Sequence, residues 1–181
     1  MAEPIQRLLP RDKGSGNQGA FKVSLIKCLH SPDPRLRFSI ACDPRTSPGY
    51  LTQLANDEVI AVRVAVAQNP NATPEILCHL SQSTDIAVLV AVGRAKATPL
   101  SVLEQLLNTG NAYIQAAVAT HPELTHAELI NLAQKSAYSI QLGVLHNPNL
   151  SSEHLLVLAQ SPHSSIRKRA TRHPLFCQLI N

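Results

Sequence analysis

A repeat of 26 residues constrains this sequence more than any other feature. We call the position of Pro70, in the pair Asn69-Pro70, the marker position. Its equivalents recur 26 residues apart as Pro44, Pro70, Lys96, Pro122, Pro148 and Pro174. A leucine keeps the same spacing as Leu54, Leu80, Leu106, Leu132 and Leu158. Self-similarity at a fixed period of this length is typical of repeat proteins, in which each unit packs mainly against its neighbours.

Each unit contains the pattern of two short helices. In the first, apolar residues lie eight and four places before the marker position, which is the spacing of one helix face. These pairs are Leu36 and Ile40, Val62 and Val66, Val88 and Val92, Ile114 and Val118, and Ile140 and Val144. Small residues between them, such as Ala65 and Gly143, allow close approach of neighbouring helices. In the second helix, two leucines three residues apart face one side, as at Leu77 and Leu80.

Start and stop signals frame these helices. Ser47-Pro48 and Thr73-Pro74 place an N-cap hydroxyl before a proline, and Thr125 with Glu128 has the spacing of a capping box. The first helix of each unit is predicted to end at Asp43, Asn69, His121, Asn147 or His173. The third unit differs, because it has Ala95-Lys96 instead of Asn-Pro, and Thr98-Pro99 one residue early. A local loop change without loss of register is expected there.

Composition fits a thin helical stack. Apolar residues make up 44% of the 181 residues but aromatic residues only 3%, so aliphatic side chains must form the core. We predict a flexible N-terminal arm over residues 1–20 and one helical-repeat domain over residues 21–181, with a helix at about 21–30. No apolar run is long enough to cross a bilayer, and the N-terminus lacks the apolar region of a secretory signal. Four cysteines without paired spacing favour a cytoplasmic location.

The pattern V-R-x-A-V-A-x-N-P…T-P-E-x-L-x-x-L, clearest between Val62 and Leu80, resembles the leucine-rich repeat variant family. The resemblance covers roughly residues 31–176. It implies an all-α, right-handed solenoid of about five and a half two-helix units, in which the second helix is α or 3-10, with no β-sheet. It implies no activity, because the residues of the pattern are structural.

No cofactor or metal is expected from the sequence. Some members of the family carry an iron–sulfur cluster on an N-terminal cysteine-rich segment, and clusters require cysteines that lie close together. Here Cys28, Cys42, Cys78 and Cys177 are spread over several units. The histidines lack a third ligand for zinc. No nucleophile beside a base and no paired carboxylates stand outside the repeat pattern, so we predict that the protein is not an enzyme.

Two polar columns on the first helices are the candidate partner-binding residues. The first column lies seven places before the marker position, and the second lies two places before it. The predicted contact residues are Arg37, Arg63, Gln115, Gln141 and Arg167 in the first column, and Gln68, Arg94, Thr120, His146 and Arg172 in the second. A curved row of such columns is the surface with which solenoids commonly bind partners.

Two functional hypotheses follow. The first is a non-enzymatic protein-binding scaffold without membrane association, whose oligomeric state the sequence leaves open. The alternative is a nucleic-acid-binding helical-repeat protein. Its phosphate contacts would be Arg35, Arg37, Arg63, Arg94, Arg167, Lys168, Arg169 and Arg172. The mildly acidic middle of the chain and the scarcity of aromatic residues for base stacking favour the scaffold.

Overall fold

The computed structural model describes residues 28–180, which form twelve helices and no strand. Two kinds of helix alternate. The A helices are α1 (Pro34–Cys42), α3 (Ile60–Gln68), α5 (Ile86–Arg94), α7 (Ala112–Val118), α9 (Tyr138–Leu145) and α11 (Ser164–Thr171). The B helices are α2 (Pro48–Leu54), α4 (Pro74–Leu80), α6 (Leu100–Leu107), α8 (His126–Ala133), α10 (Ser152–Leu158) and α12 (Pro174–Ile180). The predicted all-helical repeat class is confirmed.

Four sequence predictions stay untested by this architecture. The arm over residues 1–20 and most of the helix expected at 21–30 lie outside the described residues, although residues 28 and 29 are helical. The right-handed sense of the stack and the number of units remain expectations from the family resemblance. No helix in the described part of the chain combines the length and the apolar character needed to span a membrane.

The predicted start signals are present in the structure. Thr125 and Glu128 form a capping box at α8, in which the Thr125 hydroxyl accepts from the Glu128 N–H at 3.3 Å and the Glu128 carboxylate accepts from the Thr125 N–H at 2.7 Å. Thr73 caps α4 with a longer bond of 3.5 Å. Ser47 holds the N-cap position of α2 without a side-chain hydrogen bond, and Pro48 begins that helix.

The loop of the third unit changes as expected and keeps its register. Helix α6 begins at Leu100, which is 26 residues after Pro74. The structure corrects one detail, because Thr98 does not cap this helix. Its buried hydroxyl donates to the Val92 carbonyl at 2.6 Å, as the Thr46 hydroxyl does to the Ile40 carbonyl at 2.7 Å. Pro99 takes the N-cap position instead.

We call the residues one place before the marker position the ladder residues, because three of them, Asn69, His121 and Asn147, bond the preceding unit. The ladder residues are Asp43, Asn69, Ala95, His121, Asn147 and His173. Asp43 and Asn69 end their helices as predicted, whereas α7 and α9 end a few residues earlier, at Val118 and Leu145. The Asn69 amide donates to the Ala41 and Asp43 carbonyls of the preceding unit at 2.8 and 2.9 Å.

The same bridge recurs further along the stack. The Asn147 amide donates to the Ala119 and His121 carbonyls at 2.7 and 2.9 Å. His121 bonds the Ala95 carbonyl through Nε2 at 3.0 Å, while its Nδ1 accepts from the Glu123 N–H. These side chains satisfy carbonyl groups that the end of a helix leaves without an intrahelical partner.

The core consists of the predicted apolar columns. The first leucine of every B-helix pair is fully buried, and so are Val62, Val66, Val88, Val92, Val118 and Val144 of the A helices. Each A helix from α1 to α7 packs closely against the next A helix, whereas the B helices are further apart, with α8 and α10 in closest contact. The A helices are therefore the more tightly spaced row, which is the geometry of the inner side of a curved stack.

Gly143 shows how tightly the A row is packed. A Cβ atom at this position would lie 2.5 Å from the Ala116 carbonyl oxygen and 2.9 Å from the Ala119 Cβ, both in the preceding unit. Backbone cannot move aside as easily as the end of a flexible side chain, so only glycine fits here without a shift of α9 against α7.

Replacing Gly143 with alanine should destabilise the stack. We expect Gly143→Ala to lower the free energy of unfolding by about 1–3 kcal/mol, because overpacking outweighs the better helix propensity of alanine. The control is Gly49→Ala in α2, where a Cβ would meet nothing within 4 Å. It should leave stability unchanged or raise it. Urea unfolding followed by circular dichroism measures both, and equal effects at the two sites would contradict the packing account.

A buried histidine lies between α8 and α10. His154, in α10, is fully buried; its Nδ1 accepts from the Ser151 N–H at 2.9 Å and its Nε2 lies 3.3 Å from the His126 carbonyl oxygen. Burial lowers the pKa of His154; the His126 side chain adds to this, and the hydrogen bond to His126 and the charge of Glu153 oppose it. The folded protein therefore holds this imidazole in its neutral form more strongly than the unfolded chain does.

This burial predicts a loss of stability in mild acid. Since the pKa of His154 is lower in the folded protein, the unfolded chain binds more protons below about pH 6.5, and the free energy of unfolding falls as the pH drops through that region. His154→Gln keeps hydrogen-bonding groups and cannot titrate. The drop in melting temperature from about pH 7.5 to about pH 5 should be smaller in this variant. The matched control is His79→Gln, at an exposed histidine in α4 of a different unit. Equal pH dependence in His154→Gln and wild type would exclude His154 as the source.

Candidate protein-binding surface

The first polar column joins the units together. We call its members the latch residues: Arg37, Arg63, Gln115, Gln141 and Arg167. Each sends a side-chain N–H back to a carbonyl at or just beyond the end of the preceding B-layer helix. The acceptors are the carbonyls of Ser31, Asp57, Leu107, Ala133 and Ser161, respectively. Carbonyls at helix ends lack intrahelical partners, so a long polar donor is favoured at this position.

Arg37 is the most constrained latch residue. Its guanidinium forms a two-point pair with Asp57, at 2.6 Å from Nε and 3.0 Å from Nη2, and Nη1 donates to the Ser31 carbonyl at 2.7 Å. The hydrogen bond to Asp57 raises the pKa of Arg37. Burial alone would raise the pKa of Asp57. Hydrogen bonds from Arg37 and the Val59 N–H, together with the nearby arginine charges, outweigh this effect, so the pKa of Asp57 is lowered.

These contacts correct the role predicted for the first column. Arg37 is only 9% exposed and Gln141 only 2%. The Gln141 carbonyl oxygen also accepts from the Ser161 hydroxyl at 2.6 Å. Arg63 pairs with Asp85 in addition to its carbonyl bond. Arg37, Arg63 and Gln141 therefore act in the joining of units. Arg167 is exposed, and the fold engages one of its N–H donors, at Nη1.

The second column faces solvent on the A row. Gln68, Arg94, His146 and Arg172 are exposed, and Thr120 is half-buried. The Thr120 hydroxyl donates to the Ala117 carbonyl, and His146 Nδ1 lies 2.8 Å from the Leu142 carbonyl oxygen. No residue of the described chain forms a hydrogen bond or ion pair with the side chain of Arg94. This column therefore keeps polar groups that can contact another molecule.

Exposed apolar side chains accompany the second column, and the sequence prediction did not include them. Ile60 and Ile86, at the start of their A helices, are 43% and 48% exposed, and Tyr113 is 70% exposed. Phe38 and Tyr138 are also exposed on this row. The signal was present in the sequence, because Ile60, Ile86 and Tyr138 occupy one column ten places before the marker position.

A groove joins the two sets of residues. It runs across α5, α7 and α9, with a volume of about 460 Å³. Val90, Ala116 and Leu142, one from each helix, line its apolar part. Arg94, Thr120 and His146 line it as well, so its wall also carries polar groups. An apolar channel with a few polar groups along one side is the usual form of a site that holds another molecule in a fixed orientation.

The two rows of helices carry opposite charges. The six A helices contain seven basic residues, Arg35, Arg37, Arg63, Arg94, Arg167, Lys168 and Arg169, and no carboxylate in their described lengths. The B helices contain Glu75, Glu104, Glu128 and Glu153, and no lysine or arginine in theirs. Arg37 and Arg63 pair with Asp57 and Asp85, so Arg94 supplies the positive charge of the groove itself.

The described part of the chain gives no metal centre. Among residues 28–180, no three or more His, Cys, Asp or Glu side chains lie close enough to hold a metal ion. Cys42, Cys78 and Cys177 are exposed, Cys28 is half-buried, and none forms a disulfide.

The stack of paired helices defines an α-helical repeat protein, and a family model matches part of it. Residues 37–96 match the family model of the Leucine Rich Repeat Variant domain. This segment includes Val62 to Leu80, on which the resemblance rests, so the resemblance is confirmed there. The chain has no significant match among curated proteins or solved structures.

Exchanging one residue from each column should separate their roles. We expect Gln141→Ala to lower the free energy of unfolding by about 1–3 kcal/mol, because it leaves the buried Ala133 carbonyl and Ser161 hydroxyl without their partner. Arg94→Ala, on the exposed column, should change stability by less than about 0.5 kcal/mol. Urea denaturation of both variants is the measurement, and similar losses would contradict the division of the columns.

Proposed function

We propose that this protein is a non-enzymatic scaffold that binds a partner protein along the inner row of A helices. The observation that carries the proposal is the line of exposed apolar side chains, which includes Ile60, Ile86 and Tyr113. Contiguous exposed apolar surface on a folded protein marks a site of interaction with another molecule. The lack of paired spacing among the four cysteines supports a reducing compartment such as the cytoplasm.

The shape and polarity of the groove favour a protein segment as the occupant. Val90, Ala116 and Leu142 offer apolar contacts on three successive helices, as a peptide with apolar side chains requires. Arg94, Thr120 and His146 offer polar contacts that would fix its direction and register. A catalytic role is not part of the proposal, because the Thr120 hydroxyl and His146 Nδ1 in this groove already bond the Ala117 and Leu142 carbonyls.

Nucleic acid is the second candidate, and the carboxylate-free A row favours it. Three of the eight basic residues in that hypothesis, Arg37, Arg63 and Arg167, already donate to groups of the fold. Three others, Lys168, Arg169 and Arg172, belong to the last unit. Between Arg94 and Arg172 the exposed column holds only Thr120 and His146. A duplex carries a phosphate charge about every 1.7 Å, which this sparse spacing does not match.

Charge insertion on the A row should abolish partner binding. The variant Ile86→Glu with Tyr113→Glu alters two exposed side chains, so it should fold normally while opposing apolar contact. The matched control is Leu100→Glu with Leu156→Glu on B helices, where both leucines are 47% exposed. Peptides selected from a random phage-displayed library on immobilised wild type should bind the control normally and the A-row variant at least about tenfold more weakly.

Two results would contradict the scaffold. Peptides that bind the A-row variant as tightly as wild type would place the site elsewhere. The nucleic-acid function would be favoured by two results together. No peptide would be selected, and a labelled oligonucleotide would bind in a salt-sensitive way that Arg167→Glu and Arg172→Glu abolish.

A further inference from the structure

The ladder position at Ala95 lacks the side-chain hydrogen bond to the preceding unit. The equivalent residues Asn69, His121 and Asn147 each bond a carbonyl of the preceding unit. A methyl group cannot donate. The backbone at Ala95 is nevertheless the same as at Asn69, with φ and ψ of −71° and 122° against −70° and 133°. The chain therefore keeps the conformation of a ladder position and lacks only its amide.

The acceptors for that amide are present. Asn69 donates to the carbonyls 28 and 26 residues before it, and Asn147 does the same. The corresponding acceptors for position 95 are the carbonyls of Ala67 and Asn69. The Asn69 carbonyl accepts the Ala72 N–H at 2.9 Å, but neither carbonyl receives a side-chain donor from the described residues.

A cleft lies at this boundary between the second and third units. Its volume is about 450 Å³, within the range of about 300–1,000 Å³ typical of small-ligand pockets. Ala67, Ala91, Ala95 and Leu77 contribute apolar walls. The residues Ala67 and Asn69, whose carbonyls lack the ladder donor, line the same cleft.

The charge at the cleft is positive. Arg94 and Lys96 line it, and no carboxylate does. Within the described chain, neither cation forms a hydrogen bond or an ion pair. Arg94 also lines the groove across α5, α7 and α9, so the cleft continues the candidate protein-binding surface. A segment lying along that groove would reach the cleft at Arg94.

We propose that this cleft binds the side-chain amide of an asparagine or glutamine in the partner's peptide segment, with a neighbouring aspartate or glutamate that pairs with Arg94 and Lys96. The amide takes the place that Asn69 and Asn147 fill at their own boundaries, so the fold itself shows that this group fits. The inference rests on the proposed scaffold function and adds the chemistry of the segment. A nucleotide also combines N–H donors with negative charge, but the cleft is lined by no aromatic ring on which a base could stack.

The decisive variant is Ala95→Asn, which supplies the missing amide and leaves Arg94 and Lys96 unchanged. The new amide should bond the Ala67 and Asn69 carbonyls and fill the cleft. We expect a higher melting temperature than wild type, so a loss of binding in this variant cannot come from unfolding. Lys96→Ala tests the charge separately, at an exposed position.

The probe is the set of peptides selected from a random library on the wild-type full chain, resynthesised with a fluorescent label. These peptides should contain Asn or Gln beside Asp or Glu. Ala95→Asn should weaken their binding, measured by fluorescence anisotropy, about tenfold or more, the effect of losing one well-placed hydrogen-bonding group. Replacing the peptide's amide residue with leucine should weaken binding to wild type but not to Ala95→Asn, as a double-mutant cycle requires for a direct contact.

The outcomes separate the two proposals. The selected peptides could bind Ala95→Asn and wild type equally but fail to bind the Ile86→Glu, Tyr113→Glu variant. That result would overturn the cleft inference and support the proposed scaffold function. A library that yields no binding peptide would overturn both. A third outcome is that no peptide binds but a labelled mononucleotide or oligonucleotide does, and that Ala95→Asn abolishes this binding. It would assign the cleft to nucleotides and also overturn the inference.

Discussion

The structure depends on the carbonyl groups that short helices leave unpaired. A helix of seven to nine residues leaves its last four carbonyls without an intrahelical partner, which is about half of its backbone acceptors. This chain satisfies many of them from the adjoining unit or helix. Latch residues such as Gln141 bond the end of the preceding B helix, and ladder residues such as Asn147 bond the preceding A-helix end. Stacking is therefore a requirement of hydrogen bonding as well as of apolar burial.

The sequence predicted those parts of the fold that repeat locally. The leucine and valine columns, the capping box at Thr125 and the retained register after Thr98 all follow from spacing along one chain. The bonds between units could not be predicted in this way, because their acceptors are backbone carbonyls that every residue carries. Asn69 was recognised as a helix end, but its bonds to Ala41 and Asp43 depend on how two units are stacked.

The candidate surface was predicted only in part, for a physical reason. Polar character predicts a free face at Gln68 and Arg94, and both are exposed. It also selected Arg37, which a thin stack needs inside as a donor to the Ser31 carbonyl. Conversely, Ile86 is apolar and exposed. In an array with little interior volume, a polar residue in the sequence can indicate a buried hydrogen-bond donor as well as an exposed position.

The interruption at Ala95 has a consequence for how the chain unfolds. The stability of a linear array is approximately a sum of unit terms and nearest-neighbour coupling terms. The boundary between α3 and α5 keeps its A-helix packing but lacks the ladder bond, so its coupling term is smaller than that of a boundary joined by asparagine. We expect the cooperative unit of unfolding to divide there, into an N-terminal block and a longer C-terminal block. A molecule that bridges the boundary would then fuse two folding blocks into one.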